Sequence, residues 1–173
     1  MTVRKGVDWG GGRAPDDLVV VDHDAAVAEI LAAADAEGRP WPTIGLLAGD
    51  LARTLGGRGG DAARLREDGT AATVDVVDVD LDGAAHRFVA HLVARRSWWW
   101  GRVVVAMNAQ FLGAWDVAPR SHPGDGRLDV LDGDLGLGDR WKARSRLPSG
   151  THVPHPAITQ RRVATWEADL GRP

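Results

Sequence analysis

The chain has no cysteine and no tyrosine, two lysines, and no apolar run long enough for a membrane-spanning helix. Without cysteine, disulfides and thiolate metal sites are excluded, and the redox state of a compartment leaves no mark. A spanning helix needs ~18 consecutive apolar residues, and none is found. The first twelve residues are polar and glycine-rich, without the apolar centre of a secretory signal. Neither sign of charge predominates, with 21 basic residues against 24 acidic ones. A formal net charge of −3 gives no global attraction to nucleic acid, so no nucleic-acid partner is expected. These absences point to a cytoplasmic protein, free to sit peripherally on a membrane.

What is present suits a folded core. Hydrophobic residues make up 44 % of the 173, enough for one domain, or one domain and a fragment of another. Leu18 to Val21 is a short apolar run fit for a buried strand. Asp24 is placed to N-cap a helix to about Glu37, with Val27, Ile30, Leu31 and Ala34 on one face and Gly38 as its stop. Thr43 to Leu47 reads as a second strand, turning through Ala48-Gly49-Asp50 into a short helix, Leu51 to Leu55. This order is a partial α/β, or βαβα, remnant. The glycine-rich stretch 56–60 reads as a hinge, dividing residues 1–56 from 57–173.

Beyond the hinge the pattern becomes β-rich. Strands are expected over Thr73 to Val79, His86 to Arg96, Gly101 to Phe111, Leu128 to Leu131 and Ile158 to Trp166. Asp82-Gly83 marks a hairpin turn. Leu135 to Leu147 fits a short amphipathic helix carrying Leu137, Trp141 and Leu147. Strands joined by hairpins imply antiparallel pairing, so the expected class is α+β, with a sandwich-like second part.

Several motifs suggest chemistry without supporting it. Gly56 to Asp61 lacks the Gly-Lys-Ser/Thr of a phosphate loop and reads as hinge. Asp68-Gly69-Thr70 opens a β run, not a helix, so a turn is expected. Ser97, Ser121, Ser145 and Ser149 sit in no nucleophile elbow. His122, His152 and His155 have no zinc spacing and read as loop histidines, satisfied or exposed.

Arg95-Arg96-Ser97-Trp98-Trp99-Trp100-Gly101-Arg102 is the most unusual segment. Three successive tryptophans cannot share one side of a strand. Indole beside arginine suits a lipid or partner surface, built from Arg96, Trp98, Trp99, Trp100 and Arg102. A dimer contact, stacking on single-stranded nucleic acid and a core Trp pair beside a hairpin turn are the other readings.

The run Arg102 to Trp115 ends a strand in Asn108 and a glycine turn. Asp125-Gly126-Arg127-Leu128-Asp129-Val130 follows, then a helical segment and His155-Pro156 before the last strand. In this order the chain resembles the C-terminal domain of bacterial diacylglycerol-kinase-type lipid kinases, in the NAD-kinase-like superfamily, over roughly residues 43–173. The resemblance implies an ATP-dependent transferase acting on a lipid, with Asp125 binding a structural Mg²⁺ together with the backbone carbonyls of His122 and Arg127. It aligns Gly49 and Asp50 with a family phosphate-binding turn. The other phosphate slot falls at Val21 to Ala25, where Asp22 and Asp24 replace glycine and would repel ATP. The family's catalytic Asp-Gly pair has no match, Asp169 being the last carboxylate. The expectation is therefore a degenerate lipid-kinase-like protein that binds lipid or nucleotide. An active kinase completed by a homodimer or a further strand, and a non-enzymatic interaction module using the Trp-Arg patch, are the alternatives.

Overall fold

A computed structural model describes residues 10–95, 97 and 99–169. The chain divides into two compact units, residues 1–90 with 123–126, and residues 91–122 with 127–173. The glycine stretch 56–60 lies inside the first of them. Helices and several antiparallel sheets make the class α+β.

In the first unit, β1 (Gly10–Arg13) is followed by β2 (Val19–Val21), α1 (Asp24–Ala36), β3 (Ile44–Leu46), α2 (Asp50–Thr54) and α3 (Ala62–Asp68). β4 (Thr70–Ala72), β5 (Val77–Leu81) and β6 (Ala84–Phe88) complete it. β2 and β3 pair in parallel, with Val19 opposite Ile44 and Val21 opposite Leu46, and α1 makes the crossover that parallel strands require. α1 buries Val27, Leu31 and Ala34, spaced to share one face. The expected cap is corrected: His23, not Asp24, caps α1, its Nδ1 accepting from the Ala26 amide at 3.0 Å. Gly45 of β3 has no side chain because Leu18 and Leu65 close over it; a Cβ there would collide with both.

Two long strands expected from the sequence are broken. Residues 73–76 leave the ladder: the Asp75 amide donates to the Pro123 carbonyl, and its carboxylate accepts from the Gly126 amide at 2.6 Å. The stretch from His86 to Arg96 divides at Val89-Ala90, two adjacent buried residues that a period of two cannot accommodate. The Asp82-Gly83 turn forms as expected, with both residues at positive φ, as a type I′ hairpin demands. β5 and β6 are tied to α1 through Arg87, which donates to Asp78 directly opposite at 2.7 Å and to Asp35 at 2.6 Å. Trp41 lies 5.0 Å under the guanidinium and itself donates to Asp35. These bonds, chiefly the one from Arg87, hold the Asp35 carboxyl below its usual range.

The second unit holds β7 (His91–Arg95), β8 (Val103–Met107), β9 (Phe111–Leu112), β10 (Trp115–Asp116), β11 (Leu128–Gly133), α4 (Leu137–Arg146), a 3₁₀ turn (Leu147–Ser149) and β12 (Ile158–Val163). Four strands form one antiparallel sheet in the order β12-β11-β8-β7. Register sorts the side chains. Val103, Val105 and Met107 lie opposite Gly133, Leu131 and Asp129, on one face. Val104, Ala106 and Val130 take the other face and are buried. Met107, Val117, Ala118 and Leu131 form the core beneath the first face.

Candidate functional site: an apolar cavity with an arginine mouth

The first face of the second unit's sheet floors an apolar cavity of about 170 Å³. Val103 and Val105 of β8, Leu131 of β11 and Ile158 of β12 supply the floor, and Leu112 and Trp115 supply a wall. α4 contributes Leu137, Arg140, Trp141 and Arg144, which helical spacing places on one side. The two arginines differ. Arg140 donates to the carbonyls of Leu135 and Gly101, which fixes α4 against the turn between β7 and β8. Arg144 is exposed and lies 5.0 Å over the Trp115 ring, with no carboxylate partner among the described residues. An apolar interior beside a stacked guanidinium suits a hydrocarbon chain ending in an anionic group.

His152 also lines the cavity. It was expected to be a satisfied or exposed loop histidine, but it is buried at 4 % exposure and neither ring nitrogen has a hydrogen-bond partner of good geometry among the described residues. Burial pushes the imidazole below its usual range, against the opposing pull of Asp116 and the Val117 backbone. The sign follows. Below the unfolded pKa near 6.5 the unfolded chain takes up the proton first, so stability falls as pH drops through 6.5 towards the folded value. In His152→Leu this part of the acid-side loss should vanish, which melting curves from neutral to mildly acidic pH will check. Asp129, buried at 4 % exposure, is shifted oppositely. Burial raises its pKa against the bonds from Gln160 and Ser121.

The residues singled out in the sequence are distributed as follows. Trp99 and Trp100 are exposed in the β7–β8 turn, not paired in a core, and Trp99 lines the cavity. Arg96 and Trp98 lie outside the described residues. Arg102 is held by Asp132 through two bonds of 2.8 and 2.6 Å, so its charge is already matched. Gly49 and Asp50 do open a helix, α2, but its first two amides meet the Asp24 carboxylate, at 2.7 Å from Asp50 and 3.3 Å from Leu51. Gly49 takes φ +114°, and a Cβ there would strike that carboxylate. The place aligned with a phosphate is filled by the chain's own anion.

Asp125 belongs to the first unit, and His122 and Arg127 to the second. The loop bearing Asp125 is tied by Asp75. Among the described residues no three His, Asp or Glu side chains gather as a metal site. The phosphate-loop lookalike ends in Asp61, whose carboxylate caps α3 by accepting from the Arg64 amide at 2.9 Å.

A larger space, about 520 Å³, opens in the first unit, but no charged residue lines it. No helix among the described residues is long and apolar enough to cross a membrane. No family model, no curated protein and no solved structure matches the chain.

Proposed function

We propose that this chain is a lipid-kinase-like protein that binds a single-chain anionic lipid and does not transfer phosphate. The second unit then corresponds to the sandwich-like C-terminal domain of the diacylglycerol-kinase-type enzymes. The observation that carries the reading is the cavity, apolar throughout its floor, with Arg144 stacked at one side and without a carboxylate partner among the described residues. Hydrocarbon burial supplies affinity at about 0.8 kcal/mol per methylene, and the guanidinium selects a phosphate or carboxylate head.

The first unit supports the non-catalytic half of the proposal. Phosphoryl transfer needs positioned phosphates, a metal ion and an oriented acceptor. The Asp24 carboxylate sits on the amides that would meet a phosphate, and a second anion there would be repelled. Incubating the purified chain with labelled ATP, Mg²⁺ and a total lipid extract should yield no labelled lipid, while short-chain lysophosphatidate binds saturably. A labelled lipid, with an inactive control preparation blank, would overturn the non-catalytic reading and favour the active kinase.

A further inference from the structure

We infer that the exposed residues of α4 at the cavity rim and the β7–β8 turn form one docking surface for an anionic bilayer. The inference deepens the lipid-binding reading, since it names the source from which lipid reaches the cavity. Four large apolar side chains are exposed there, Trp99 at 62 %, Trp100 at 64 %, Leu137 at 66 % and Trp141 at 74 %. They come from two segments far apart in sequence. Arg140 joins these segments, reaching from α4 to the Gly101 carbonyl at the end of the tryptophan turn. Trp99, Leu137 and Trp141 line one cavity, and Trp100 follows Trp99 in the turn.

Charge selects the occupant. Of the four cations on α4, Arg140 is bonded to Leu135 and Gly101 and lies 3.7 Å from Asp134, and Lys142 pairs with Asp139, whereas Arg144 and Arg146 have no ion-pair partner among the described residues. A short helix with Leu and Trp on one side and several basic residues beside them suits the boundary between headgroups and acyl chains. Indoles prefer that depth, and anionic headgroups attract the arginines. A neutral protein partner would leave Arg144 and Arg146 unmatched. Trp99, Leu137 and Trp141 also line the cavity, so docking sets the cavity opening against the acyl layer.

Two variants separate docking from cavity binding. Trp100→Ser combined with Arg146→Glu alters only residues outside the cavity lining. Val105→Phe changes the cavity floor and leaves the exposed patch intact. The wild type should co-sediment with phosphatidylglycerol vesicles at low salt, bind phosphatidylcholine vesicles poorly, and be released by high salt. The double variant should lose about tenfold in vesicle partitioning and still bind soluble lysophosphatidate. Val105→Phe should show the reverse. Wild type that stays in the supernatant at low salt, or a double variant that sediments equally well, would overturn the docking surface. So would a dimer that Trp100→Ser splits in the absence of any vesicle binding, because the patch would then belong to a second copy. Loss of lysophosphatidate binding in every form, with vesicle binding retained, would sink the cavity reading and leave docking standing.

Discussion

Val105→Phe should weaken lysophosphatidate binding at least about tenfold and leave the protein folded. Val105 is half-buried and forms part of the cavity floor, opposite Leu131 in the sheet. A phenyl ring there enters existing space and displaces the hydrocarbon a ligand would place. Overpacking a filled core costs ~1–3 kcal/mol, and that cost shrinks where a void accepts the added atoms. The neighbouring residue supplies the control. Val104 points to the other face and is fully buried at 0 % exposure. Val104→Phe should lower the melting temperature by several degrees, because no space receives the ring. Adjacent residues are thus expected to give opposite outcomes, one in binding and one in stability. Titration of intrinsic tryptophan fluorescence and thermal melts read the two effects separately.

Asp24→Ala should destabilise the first unit by about 1–2 kcal/mol, the usual cost of removing a carboxylate from a helix N-terminus. The carboxylate lies between α1 and α2 and takes the first two amides of α2. Removing it leaves both amides without that partner, and the turn at Gly49 loses the group that shapes it. Asp24→Asn keeps an acceptor oxygen without the charge and should lose roughly half as much. Denaturant melts of the three forms check the order. A melt of Asp24→Ala indistinguishable from wild type would mean that the cap contributes nothing.

The sequence made some of this legible. The crossover from β2 through α1 to β3 follows from apolar runs of strand length flanking a helical period, and the I′ turn follows from Asp82-Gly83. The aromatic helix around Leu137 and Trp141 was also visible from its spacing. What stayed hidden were the long-range contacts. Asp24 has a good capping residue's chemistry, but its partner amides lie 26 and 27 residues away. Nothing local distinguishes a carboxylate that caps its own helix from one that caps the next. His152 sits between polar and proline-rich neighbours, and its burial comes from packing that loop composition does not encode. The cavity itself needed the sheet register, since only the register decides that Val105 rather than Val104 faces α4. Arg140 and Arg144 were the available signal. They stand three and seven residues beyond Leu137, on the same side of the helix as the aromatic positions.

The most direct test of the account is equilibrium dialysis of labelled short-chain lysophosphatidate against the whole chain, with Val105→Phe in parallel. The wild type should show saturable one-site binding, and the variant should lose it. No saturable binding by a folded wild type, or equal binding by both forms, would contradict the cavity as a lipid site.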